Sequence, residues 1–199
     1  MIRRAIFAAA VVTILATSNV LAASVVVKIA GTGYTPATAT VPLGGTVQWK
    51  NKTAKSRTVT ADTTYLGSMF FQPLTVKGYA LSAARTFTQA GSFGFHDNLK
   101  PIHGVITVPM SASAYFISVN EQVTLYLGTV STTGSGQPVN HYVQASKNGG
   151  AWTTIAQTSA TTFGWTVTSA GTWTVRTYLH HALSGINSGV SPTITITAS

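Results

Sequence analysis

The segment FHDNLKPIHGVITV, Phe95 to Val108, places His96, Asp97, Lys100 and His103 close together, a mixture of metal-ligating, acidic and basic side chains. A second run, KNKTAKSR, sets the cations Lys50, Lys52, Lys55 and Arg57 nearby in sequence. Against these stand only three carboxylates, Asp62, Asp97 and Glu121, and no cysteine. Without cysteine there are neither disulfides nor thiolate metal ligands. Glycoside hydrolysis needs two carboxylates across one cleft, and no such pair is evident. There is no Ser-His-acid arrangement or nucleophile elbow. The GTG at Gly31 lacks the following helix that a phosphate cradle requires. These residues predict a protein that is not an enzyme.

Two chemistries stay open. His96 and His103 could hold copper or zinc weakly at a surface, or be solvated histidines, since a metal site wants three or four convergent ligands. His96 adjoins Asp97, so on a strand the two point to opposite faces. His103 is expected in a loop. The basic patch of Lys50, Lys52, Lys55, Arg57 and Lys100 could attract a polyanion such as an envelope polymer, a phospholipid surface or nucleic acid, or serve only solubility. No nucleic-acid motif is present, and no aromatic residues interleave with the charges for base stacking.

The elements that must position these residues are strands. Hydrophobic residues make up 45% of the 199 and charged residues only 8%, which predicts a packed core beneath a surface rich in Thr, Ser, Asn and Gln. Short alternating runs bounded by Gly, Pro and Asn recur, among them SVVVKIAG, GGTVQWKN, SRTVTAD and GSFGFHD, and no run carries a helical stripe. The first residues, MIRRAIFAAAVVTILATSNVLAAS, combine Arg3 and Arg4 with an apolar run and an A-x-A-like site, the pattern of a signal peptide over residues 1–23. Its removal takes the formal charge from +9, less Arg3 and Arg4, to +7. The expected plan is a first β domain over 24–108, a linker PMSASA at 109–114 and a second β domain over 115–199. Most of the positive charge falls in the first. In TWTVRTY the alternation places Trp173, Val175 and Thr177 on one face, with Trp173 in the core. Trp152, after the hairpin signal NGG, is either a stacking aromatic for carbohydrate or a hairpin-packing residue. His180 and His181 are expected as polar loop residues.

Residues 25 to 108 resemble a cupredoxin of the plastocyanin and amicyanin type. The resemblance rests on YTPATATVPLGGTVQWKN, RTVTAD and AGSFGFHDNLKPIHGVITV. It implies an all-β fold, a Greek-key sandwich, and copper ligands at set positions. In that pattern a histidine ligand follows Trp-x-Asn by six residues, and here that place holds Arg57. The final loop supplies Cys, His and Met, and here Asp97 takes the Cys place, Lys100 the His place and His103 lies near the Met place. A blue-copper centre needs two imidazoles and a thiolate, and Arg and Lys in their protonated states offer no free lone pair. The resemblance therefore implies a domain whose copper site is lost and which carries no cofactor, with copper on His96 and His103 as the alternative. Asp97 facing Arg57 and Lys100 suggests an ion pair in place of the metal, unless all three point into water. The second half, through VTLYLGTV, GGAWTTIAQT, SAGTWTVRTYLHH and SPTITITAS, resembles a bacterial immunoglobulin-like or fibronectin-like module. The expected whole is a secreted or periplasmic non-catalytic binding or structural protein. Its partner would be an envelope or extracellular component, polyanionic in the basic-patch reading.

Overall fold

The structure, a computed structural model, describes residues 23–63, 73–129 and 139–199. The expected signal peptide lies outside the described residues but for its last position. All regular elements among the described residues are strands. In chain order they begin with β1 (Ser24–Ile29), β2 (Tyr34–Thr35), β3 (Thr38–Thr40), β4 (Gly45–Asn51), β5 (Arg57–Ala61), β6 (Leu74–Val76), β7 (Arg85–Phe87), β8 (Gly91–Asp97) and β9 (Lys100–Val108). These form two sheets, β2-β1-β4-β7 and β3-β9-β8-β5-β6.

The alternation read in the sequence is what joins them. Along β4 and β8 every second residue is buried, so Val47, Trp49, Phe93 and Phe95 face the opposite sheet. Trp49 and Tyr34 both meet Phe95 edge-on, with ring centroids 5.6 and 4.7 Å away. Edge contacts of this kind match the positive rim of one ring to the negative face of another.

The remaining strands are β10 (Ser111–Ala112), β11 (Phe116–Ile117), β12 (Gln122–Tyr126), β13 (Val139–Lys147), β14 (Thr153–Thr158), β15 (Thr162–Thr166), β16 (Gly171–His181) and β17 (Ile194–Ala198). They form the sheets β10-β12-β15 and β11-β17-β16-β13-β14. Pro109 and Met110 separate β9 from β10, and the two strands belong to different sheets. The segment expected as a linker is thus partly strand: Ser111 and Ala112 pair with Tyr126 and Leu125. The NGG signal forms the β13–β14 turn, where Asn148 and Gly149 take φ of 50° and 74°. That left-handed pair is what a tight hairpin turn demands. Trp173, expected in the core, is only partly buried and packs at its margin, edge-on to Trp165 at 5.3 Å.

The two sandwiches do not merely follow one another. Val139 and Leu179 of the second belong to the core of the first, and Ala90 packs into the core of the second. Backbone bonds cross the junction: Ala90 N donates to Leu127 O at 2.9 Å, Thr129 N to Thr88 O at 2.9 Å, and Ser92 and Gly189 exchange a pair at 3.0 Å. Gly128, at φ +88°, lies where the Thr88 carbonyl occupies the space of a Cβ. Any side chain there would have to push the two backbones apart.

His141 on β13 is fully buried. Burial pushes its pKa from 6.5 down to about 4, with the Gly128 backbone opposing in part.

Two predictions follow from the shared core and the buried imidazole. Because the sandwiches share side chains and backbone bonds, tryptophan fluorescence and far-ultraviolet circular dichroism should trace one coincident unfolding curve. Two separated transitions would show the cores to be energetically independent. The unfolded chain binds a proton at His141 below pH 6.5, whereas the folded chain does so only near pH 4. Stability is therefore complete above pH 6.5 and falls as the pH drops towards 4, by roughly 3 kcal/mol in total. Urea midpoints measured across that interval should flatten in His141→Gln, and an unchanged slope would exclude His141 as the source.

Candidate functional site

The end of the first sandwich where β5 begins and β8 ends is organised by two buried polar side chains, Asn51 and Asp97. Asn51, the last residue of β4, is fully buried. Its Nδ2 donates to the carbonyls of Lys55, Val76 and Lys77 at 2.8–3.1 Å. Its Oδ1 accepts from the backbone N and Oγ1 of Thr53, both at 2.8 Å. These bonds fold the 52–56 turn back on itself and deliver Arg57 to the start of β5.

Asp97 closes β8 on its inward face and is 3% exposed. Its Oδ2 accepts from Arg57 Nη1 at 3.3 Å, with Arg57 itself buried. Its Oδ1 accepts from Thr58 N at 3.1 Å, Thr58 Oγ1 at 2.8 Å and Leu99 N at 3.1 Å. The bond to Leu99 N, two residues on, is an Asx-turn and shapes the tight Asn98–Leu99 connection. Burial works to raise the Asp97 pKa. The Thr58 and Leu99 hydrogen bonds and the Arg57 charge outweigh it and hold the carboxyl below the ordinary carboxylate range. Tyr34 adjoins the pair, donating its hydroxyl to Thr58 O at 3.1 Å. Burial, and then the Asp97 charge, push its phenol well above the ordinary value.

Other sequence expectations are corrected at this end. Lys100 does not face Asp97 as an ion partner: its Nζ reaches Gly31 O at 3.4 Å, and the side chain is exposed. The expected ligand loop is a hairpin, with β8 running to Asp97 and β9 starting at Lys100. His103 therefore stands in strand β9 and not in a loop, opposite His96, and the register slips between His96 and Asp97. Pro101 and Ile102 are the extra residues on β9 at that slip, and the Asx-turn takes up the reversal. Arg57 leaves the basic patch because it is buried, whereas Lys52, Lys55 and Lys100 are exposed and Lys50 Nζ donates to Tyr79 O at 2.7 Å.

On the outward face of the same strands lies a second group. His96 Nδ1 is 2.7 Å from Asp62 Oδ1, and His103 Nδ1 is 3.8 Å from the same oxygen. One ligand atom from each of the three falls within 4.8 Å of the others. Sequence reading brought His96 and His103 forward but missed Asp62. It follows β5, whose Thr60 and Ala61 pair with His96 and Phe95. The one local hint was Gly94, since a Cβ at that position would strike the Asp62 carboxylate. In the second sandwich His181 is buried at the end of β16, with Nδ1 2.7 Å from Ser184 Oγ, and is not the exposed loop residue expected. Trp152 lies under the Arg176 guanidinium, 4.0 Å from it.

The residues at the positions that the resemblance assigns to copper ligands do not fit a blue-copper centre. That centre draws on thiolate and imidazole lone pairs. Here Arg57 and Lys100 are cations, and both oxygens of Asp97 are already engaged by protein donors. The pair predicts an order of destabilisation. Without Arg57, Asp97 keeps three hydrogen bonds, whereas Asp97→Asn turns an amide donor or a neutral oxygen towards a buried guanidinium. Asp97→Asn should therefore cost about 3 kcal/mol or more, and Arg57→Gln less. Urea titration of the two variants tests this, and equal or reversed costs would refute it.

No family model matches the chain, and no curated protein matches it. Solved structures of amicyanin do. An oxidised amicyanin variant is 29% identical, with a TM-score of 0.38 over 43% of this chain and 81% of that chain. A reduced Cu(I) form of another variant at pH 4 is 29% identical, with a TM-score of 0.37 over 45% and 86%. A third, oxidised, is 30% identical, with a TM-score of 0.37 over 42% and 80%. The similarity spans less than half of this chain. This is an all-β protein whose first half is similar to amicyanin, and it contains no cysteine from which a blue-copper site could be built.

Proposed function

We propose that the protein is a secreted or cell-envelope module, non-catalytic, whose cupredoxin-like sandwich serves binding or spacing and not electron transfer. The observation that carries this reading is the buried Asp97 carboxylate, which accepts from four protein donors, one of them the buried Arg57 guanidinium that would repel a metal cation. A buried pair bonded in this way holds the β5 and β8 ends together without any ion. The immunoglobulin-like resemblance of the second half agrees with a spacing or binding role, as does a surface poor in charge. Secretion rests on the MIRRAIFAAAVV leader pattern.

A polyanionic partner is the second reading, favoured by one observation. Lys52, Lys55 and Lys100 are exposed, and none is within ion-pair distance of an acidic group among the described residues. Their charge is free to meet a partner's.

Two measurements test these readings. Protein purified from the producing cells should begin at Ala23 or Ser24, and after copper incubation should show no intense blue thiolate band. An intact amino terminus on cytoplasmic protein would end the secretion reading. Retention on a heparin matrix should fall steeply with salt and drop in the Lys52→Gln/Lys55→Gln/Lys100→Gln variant. Retention that ignores those three charges would remove the polyanion reading.

A further inference from the structure

We propose that Asp62, His96 and His103 form a divalent transition-metal site on the outer face of the β5–β8–β9 sheet, separate from the position at which a cupredoxin holds copper. Three facts of placement carry this. First, the register sets His96 directly across from His103, so the two imidazoles leave the same face of neighbouring strands, with ring centroids 5.8 Å apart. Second, β5 lies on the other side of β8, and its continuation brings the Asp62 backbone to Gly94, with Asp62 N donating to Gly94 O at 3.0 Å. Third, Gly94 has no side chain, and the Asp62 carboxylate occupies the room a Cβ would take. The carboxylate is thereby laid beside His96, at 2.7 Å, and towards His103, at 3.8 Å.

The donor set has a definite chemical preference. Two imidazole nitrogens and one carboxylate oxygen suit copper(II) and zinc(II), which take nitrogen ligands at about 2.0–2.1 Å and carboxylate oxygen at about 2.0–2.2 Å. Ligand atoms around such an ion stand about 3 Å apart, which follows from those bond lengths in tetrahedral or octahedral arrangement. The Asp62–His96 separation is already near that value. His103, two-thirds exposed, has the freedom to turn its ring inward. Three protein ligands on an open face leave positions for water, so the site is an open one and not a closed structural one. Nitrogen and oxygen ligands without a thiolate give a copper(II) centre of weak visible absorption, unlike a blue one.

The site is distinct from Asp97 by strand geometry. Asp97 adjoins His96 and points into the sandwich, whereas His96 points out. The proposal therefore stands whether or not the module is secreted or meets a polyanion.

The test uses the whole mature chain, free of any histidine tag, titrated calorimetrically with copper(II) chloride and separately with zinc(II) chloride. One equivalent of copper(II) should bind, and more tightly than zinc(II), in the usual order of divalent affinities. His96→Ala, His103→Ala and Asp62→Asn should each weaken copper binding at least tenfold, whereas His180→Ala should leave it unchanged. Electron paramagnetic resonance of the copper(II) protein should show nitrogen couplings that diminish in His96→Ala and in His103→Ala. All three ligands are at least partly exposed, and matched circular dichroism spectra establish that the variants are folded. Gly94→Ala, which removes no ligand but displaces Asp62, should weaken binding as Asp62→Asn does. The proposal is overturned if no copper binds at micromolar concentration, or if binding persists in His96→Ala/His103→Ala. Loss of binding in His180→Ala would equally overturn it, by moving the ion to the second sandwich.

Discussion

A carboxylate buried at the end of a β-sandwich is costly unless it is hydrogen-bonded and paired, and Asp97 has both, with donors from two separate elements. Thr58 and Arg57 come from β5, and Leu99 from the turn that Asp97 itself begins. The anion thus fixes where β5 lies against β8 and how the chain turns into β9. Arg57 is in turn located by the 52–56 turn, which depends on Asn51. The Nε of Arg57 donates to Thr53 Oγ1 at 3.4 Å, so the Asn51 and Asp97 networks join through a single hydroxyl. Register along β9, and with it the position of His103, follows from this corner.

The same corner shows how the end of a sandwich is held together by its own side chains. A metal centre draws loops together by coordination, and folding free energy then depends on the ion. An arginine–carboxylate pair with accessory hydrogen bonds performs the same mechanical task from within the chain. Its net contribution need not be large, because the desolvation of both ions offsets much of their attraction. What it supplies is a unique arrangement, since misplacing either strand leaves a buried charge unpaired.

Much of this was legible in the sequence because it is local or has a fixed period. The two-residue alternation of GTVQWKN and GSFGFHD predicts which side chains of β4 and β8 face the core, and burial follows it residue by residue. The cupredoxin resemblance set Arg57 and Asp97 at neighbouring positions, and their opposite charges then suggested an ion pair. Illegible were the features that depend on long-range register. Asp62 lies more than thirty residues before His96, and only the pairing of Thr60 with His96 brings them together. His103 read as a loop residue because the cupredoxin resemblance set it in the final ligand loop. The slip between His96 and Asp97 lets the strand resume almost at once. The shared core was hidden for the same reason, as nothing near Val139 or Leu179 announces that they join the core of the first sandwich.

Strand β8 brings these threads together, because a strand has two faces and this one uses both. Inward, Phe93, Phe95 and Asp97 supply packing and then the buried anion. Outward, Ser92 bonds to the second sandwich, Gly94 admits Asp62, and His96 stands beside His103. The inward series cannot change without disturbing the fold, because each member is buried and partnered. The outward series is half-buried, with Ser92 tied to the second sandwich and Gly94 to the room that Asp62 takes, while His96 stands beside His103. The sandwich, closed at this corner by the Asp97–Arg57 pair, gives a rigid floor on which His96 and His103 stand opposite one another. Rigid support of that kind is what a weakly coordinating surface group needs in order to bind one ion selectively, since fewer degrees of freedom are lost on binding. The buried Asp97 pair and the outward stand of His96 are thus two consequences of the alternation of one strand.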